Sequence, residues 1–150
     1  MEPGKKLYVV GLGSSAGGLE ALQTFIRNLG PDENTAYVVV QHLSTQRRSQ
    51  LAHILDRETT LPVHEIRHGE KIKGGCIYVM PSGYKLRLEK GTFLLDERPE
   101  TEIVNRAINY FFKSLASEMK ANAFGIILSG TGTDGVEGVK EIERLQGTVI

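Results

Sequence analysis

The chain reads as an α/β domain: a doubly wound, mostly parallel sheet with helices on both faces and an antiparallel edge or hairpin section over about residues 63–96. Three observations predict this. Leu7-Tyr8-Val9-Val10, Ala36-Tyr37-Val38-Val39-Val40 and Ala123–Leu128 are short continuous apolar runs, the pattern of strands buried on both faces. Amphipathic stretches of helical period lie between such runs. Glycine-rich segments follow the first and third of them directly. Strand and helix in alternation is the grammar of a parallel sheet covered on its faces.

Taken in order, Leu7–Val10 is the first strand. Leu19, Leu22, Phe25, Ile26 and Leu29 recur at helical spacing, which predicts a helix over Gly18–Leu29 with one apolar face. Gly30-Pro31 ends it. Ala36–Val40 is the second strand and runs into Gln41-His42, and Gln46–Arg57 is the second helix. The middle changes character. Val63–Ile66, Cys76–Met80, Tyr84–Leu88 and Thr92–Asp96 are short strands, with turns at Pro81-Ser82-Gly83 and Lys90-Gly91. This section is expected to be antiparallel. Glu97–Thr101 is a polar connection. Ile103–Lys120 is a helix with Ile108, Phe111, Phe112, Leu115 and Met119 turned inward. Ala123–Leu128 is a strand, Val136–Leu145 a helix, and Gly147–Ile150 begins a further strand.

A length of 150 residues predicts one domain with a real core. Eighteen basic residues balance eighteen acidic ones, so no net field favours nucleic acid or an anionic membrane. No apolar run approaches a membrane span, and Met1–Lys6 lacks the apolar region of a secretion signal. The cytoplasm is the expected location. The single cysteine, Cys76, excludes an internal disulfide and a cysteine-based metal cluster.

Position organises the candidate chemistry. Ser15, His42 and Asp134 each fall just past the C-terminal end of an expected parallel strand, the edge where open α/β sheets build their sites. Their types are those of a nucleophile, a general base and an orienting carboxylate. Ser15 is the centre of Gly13-Ser14-Ser15-Ala16-Gly17, a G-x-S-x-G pattern expected to turn sharply between strand and helix and leave the hydroxyl reachable. The competing reading is a nucleotide site, since Gly11-Leu12-Gly13-Ser14-Ser15-Ala16 also fits the dinucleotide fingerprint. That reading needs an acidic residue at the end of the second strand. Gln41-His42 stands there, and no Asp or Glu occurs from Tyr37 through Leu55. A Walker loop is excluded because no Gly-Lys-Ser/Thr follows. Asp134 also suits a helix N-cap before Gly135-Val136. His53, His64 and His68 read as structural or solvated, Cys76 as inert core, and Ser14 and Ser129 as turn residues.

With these residues in view, three segments resemble the chemotaxis protein-glutamate methylesterase (CheB-type) family. Val10-Gly11-Leu12-Gly13-Ser14-Ser15-Ala16-Gly17-Gly18-Leu19-Glu20-Ala21-Leu22 is similar to its nucleophile turn. Val39-Val40-Gln41-His42 resembles its histidine strand. Ile126-Ile127-Leu128-Ser129-Gly130-Thr131-Gly132-Thr133-Asp134-Gly135 resembles its aspartate loop. The resemblance implies hydrolysis of glutamate methyl esters, and deamidation of glutamines, on the cytoplasmic helices of chemoreceptors. It implies Ser15 as nucleophile, His42 as general base, Asp134 as its carboxylate partner, and backbone donors to the oxyanion at Thr131 and Ala16. No metal or organic cofactor is expected. The Ser–His–Asp order differs from the Ser–Asp–His order of α/β-hydrolases.

The chain also departs from the family pattern. Ala16 replaces a threonine, Thr131 replaces a methionine, and Leu43-Ser44-Thr45 follows the Gln-His pair where proline is frequent. These residues contain no receiver-domain pattern, so regulation by aspartate phosphorylation within them is not expected. Family members continue past Ile150, so the chain is expected to be C-terminally incomplete as a catalytic domain. The Ser-Ser-Ala and Leu-Ser-Gly-Thr-Gly variants resemble methylesterase modules fused to a receptor methyltransferase. The alternative is a catalytically silent sensor or docking module of a larger signalling protein.

Overall fold

The computed structural model describes residues 6–41, 50–99, 106–128 and 134–150. The elements are β1 (Tyr8–Ser14), α1 (Leu19–Arg27), β2 (Thr35–Gln41), α2 (Leu51–Asp56), β3 (Val63–Glu65), β4 (Ile77–Val79), β5 (Tyr84–Glu89), β6 (Thr92–Glu97), α3 (Ala107–Met119), β7 (Ala123–Ile127), α4 (Val136–Arg144) and β8 (Thr148–Val149). A six-stranded sheet runs in the order β3-β4-β2-β1-β7-β8, and every pairing in it is parallel. Side chains alternate across it. Val9, Val38 and Val40 face α3 and α4, packing with Ile108, Phe111, Phe112, Leu115 and Ile142. Val10, Leu12, Tyr37 and Val39 face α1 and α2, packing with Leu22, Ile26, Leu51 and Leu55. The doubly wound architecture is therefore present, with β1 at its centre.

Two expectations change. The first strand does not stop at Val10. It continues through Gly11-Leu12-Gly13 to Ser14, in register with β2 throughout. The glycines serve packing rather than turning. A Cβ on Gly11 would lie 2.8 Å from Phe112 Cε1, and one on Gly13 would lie 2.7 Å from Ile108 Cγ2. The bare strand lets α3 lie close against it.

The second change concerns residues 63–96. Of the four strands there, β5 and β6 alone pair antiparallel; they form a separate two-stranded sheet. β3 and β4 are parallel and belong to the main sheet. Parallel neighbours need a crossover, and no helix signal lies between these two. The crossover is instead an extended strap that borrows β6 as its partner. Gly69 donates to the Phe93 carbonyl, Phe93 to that of Glu70, and Ile72 to that of Gly91.

The hairpin turn is Lys90-Gly91, as expected, with φ of 52° and 74°. Positive φ at both central residues gives the twist that two-residue hairpins require. The hairpin lies on α3. Leu86, Leu88 and Phe93 join the core on that side. Leu88 N–H donates to Ser114 Oγ at 3.0 Å and Lys90 N–H to Glu118 Oε2 at 2.8 Å. Asp96 Oδ2 accepts from Tyr110 Oη at 2.6 Å and from Arg87 Nε at 3.0 Å, while Lys85 Nζ stands 5.0 Å from the centre of the Tyr110 ring.

Candidate active site

Ser15 is the first residue beyond β1. Its backbone is extended (φ −85°, ψ 173°) and it caps a 3-10 turn, Ala16–Gly18, that leads into α1. Gly18 N–H donates to the Ser15 carbonyl at 2.9 Å and closes that turn. The turn expected from G-x-S-x-G is this 3-10 turn, and it follows the serine rather than centring on it. The chain leaves the strand straight and bends after the serine, so no left-handed residue is needed at position 15. Gly17 is exposed, and a Cβ there would meet nothing within 4 Å. Ser15 itself is 9% exposed, and the fully buried Ser14 hydroxyl donates to the Ser15 carbonyl at 3.1 Å. The serine thus stands in a recess at the head of a helical segment. The leading N–H groups of such a segment have no partner within it and form its positive end.

The sheet gathers the three motif strands. β1 lies between β2 and β7. Ser14 is in register with Gln41, the residue that precedes His42 in the sequence. Gly13 is in register with Ile127, and its carbonyl accepts from Leu128 N–H at 2.9 Å. His42 and Thr131 lie outside the described residues. Ala16 opens the 3-10 turn.

Asp134 is described, and its role differs from the expected cap. It does not cap α4. Its Oδ2 accepts from Ile108 N–H and its Oδ1 from Asn109 N–H, both at 2.8 Å. These are leading amides of α3, so Asp134 holds the N-terminus of a helix distant in sequence. The N-cap of α4 is Gly135, with φ 104°. The acceptor for α4 comes from α3: Asn109 Oδ1 receives Gly135 N–H and Gly138 N–H, each at 2.8 Å. Asn109 is buried.

Sequence reasoning missed Asn109. The available signal was a polar residue on the same helical stripe as Phe112 and Ala116, both buried. A polar group on an apolar stripe must find partners.

The bland readings of the other histidines hold. His64 Nε2 pairs with Glu70 Oε2 at 2.6 Å. His68 Nδ1 accepts from Leu95 N–H at 3.0 Å, and His53 bonds Arg57 at 3.0 Å. Cys76 is free, half-buried and packed on the core. Among the described residues, no cluster of three or more His, Cys, Asp or Glu could hold a metal ion. No helix among them is long and apolar enough to cross a membrane.

Against this geometry stand the comparisons with known proteins. Residues 10–150 match the profile of the family described as CheB methylesterase. "Protein-glutamate methylesterase/protein-glutamine glutaminase 2" of Anaeromyxobacter dehalogenans is 33% identical over 145 residues, covering 97% of this chain and 42% of that protein. The protein-glutamate methylesterase/protein-glutamine glutaminase of Thermotoga maritima is 34% identical, covering 95% of this chain and 42% of that protein. The crystal structure of the Thermotoga maritima CheB methylesterase catalytic domain superposes with a TM-score of 0.86 at 32% identity, covering 96% of this chain and 78% of that one. The chain thus spans well under half the length of these two curated relatives.

Proposed function

The chain belongs to the CheB methylesterase family, and from that premise we propose that it is the hydrolytic unit of a protein-glutamate methylesterase that also deamidates protein glutamines. The observation that carries this reading is the convergence at one sheet edge. Ser15 stands at the end of β1, and Gln41 brings β2 to the same edge just before His42. The Asp134 turn packs on Ile108 and Ile127, the same side chains that cover Gly13.

In the proposed reaction, Ser15 Oγ attacks the ester carbonyl of a methylated glutamate while His42 takes its proton. Asp134 orients the imidazole and stabilises its charged form. Accepting two amides from α3 does not preclude this, because each carboxylate oxygen keeps a further lone pair. The oxyanion rests on the backbone N–H groups of Ala16 and Thr131, supported by the positive end of the segment leading into α1. His42 returns the proton to departing methanol and then activates the water that frees the glutamate. With glutamine, ammonia leaves by the same route. One oxyanion donor is worth roughly 3 kcal/mol of barrier. The substrates are glutamyl esters and glutamines on chemoreceptor helices in the cytoplasm. A receptor methyltransferase, fused or associated, is the reading for the longer protein. The test is Ser15→Ala, which is expected to abolish methanol release from a methylated receptor fragment. Release at the wild-type rate overturns the assignment.

A further inference from the structure

We propose that Asn109 is a positioning residue for this hydrolysis, acting through the Asp134 turn; the inference rests on the serine-hydrolase reading above. Asn109 grips that turn twice. Its backbone N–H holds Asp134 Oδ1, and its side-chain Oδ1 holds the N–H of Gly135, the next residue along. The same Oδ1 holds Gly138 N–H, so one atom joins the turn to the first turn of α4.

Ordinary capping does not require this arrangement. A helix is commonly capped by the side chain of its own N-cap residue. Here the N-cap is Gly135, which has no side chain, and the acceptor arrives from another helix. The turn also has little conformational preference of its own, because Gly135 has φ 104° and glycine is permissive there. Its place is fixed by what it bonds.

The packing is built for close approach. A Cβ on Gly138 would lie 2.6 Å from Phe112 Cβ and 3.3 Å from Asn109 Oδ1, so a larger residue would push α4 off the acceptor. Asn109 is only 7% exposed, which leaves no water to take over when the acceptor is lost. Without it, Gly135 and Gly138 shift; the Ile108 and Asn109 amides still hold the Asp134 carboxylate, but the backbone that presents it is displaced with Gly135. Catalytic groups must be held within roughly 0.5 Å, and a misplacement of about 1 Å costs up to ~100-fold in rate.

The test uses the full-length protein with Asn109→Leu, which keeps the size and removes the acceptor, and Asn109→Asp, which keeps the acceptor. Methanol release from a methylated receptor fragment and labelling of Ser15 by a fluorophosphonate are measured well below each variant's melting temperature. Asn109→Leu is expected to lower kcat by ~10- to 100-fold with KM within about twofold, and to slow labelling in parallel. Asn109→Asp is expected to recover most of both rates. If Asn109→Leu does not fold, Asn109→Ser takes its place, since a short hydroxyl cannot reach both N–H groups. A folded variant lacking the acceptor that keeps kcat within about twofold of wild type overturns the inference, as does Asn109→Asp failing to restore the rate. If wild type itself neither releases methanol nor labels at Ser15, the hydrolase reading falls and takes this inference with it. If wild type does both while Asn109→Leu matches it, only the inference falls.

Discussion

Gly13 and Gly135 press on the same methyl group. A Cβ on Gly13 would stand 2.7 Å from Ile108 Cγ2, and one on Gly135 would stand 3.1 Å from it; both would also crowd Ile127 Cδ1. One glycine lies two residues before Ser15 and the other directly after Asp134. The two proposed catalytic segments are thus spaced by a pair of isoleucines, one from α3 and one from β7.

Gly13→Ala is therefore expected to destabilise the protein by about 1–3 kcal/mol, the range for overpacking a filled core. In an Ile108→Ala background the added methyl finds room, and the cost of Gly13→Ala falls. Urea denaturation of the four proteins of this double-mutant cycle checks it. Equal costs in both backgrounds would show that the methyl contact is not what sets the spacing.

Asp134→Ala and Ser15→Ala are expected to differ in stability while sharing a loss of activity. Removing the Asp134 carboxylate leaves the N–H groups of Ile108 and Asn109 without their acceptor, at a cost of about 0.5–2 kcal/mol, as for other lost helix caps. Ser15→Ala removes no helix-cap acceptor and is expected to cost less stability than Asp134→Ala. Thermal unfolding alongside methanol release separates the two variants.

The contact of the hairpin with α3 predicts an acid-sensitive step. The hydrogen bond from the Tyr110 hydroxyl, with Arg87 beside it, holds the Asp96 carboxyl below its ordinary value, although burial opposes the shift. A carboxyl lowered in the folded state lends stability above its unfolded pKa of ~3.9 and loses it as pH falls through the lower folded value. Melting temperature is expected to drop across that acid window, and Asp96→Asn to flatten the drop. A variant with an unchanged acid limb would show that Asp96 plays no part.

What the sequence made legible was local. Continuous apolar runs at Leu7–Val10, Ala36–Val40 and Ala123–Leu128 mark β1, β2 and β7, and the spacing of Leu22 and Ile26 marks the buried face of α1. What escaped depends on contacts distant along the chain. Gly11 and Gly13 look like turn residues until Phe112 and Ile108 are seen against them. Val63–Glu65 and Ile77–Val79 look like an antiparallel pair because no helix separates them. Their crossover strap is held by β6, a partner that comes later in the sequence. Asp134 stands immediately before α4, and its acceptors serve α3. No local rule assigns a cap to a helix encoded so far upstream. His42 and Thr131, outside the described residues, keep the standing that the resemblance gives them.

The bareness of β1 opposite Phe112 has a practical consequence for protein engineers. Gly11 and the phenylalanine ring behave as lock and key, so neither can be exchanged alone. A chimera that takes β1 from one parent and α3 from another meets a void or a collision at this point wherever the two parents differ at either position. Recombination between relatives should therefore carry both segments from the same parent.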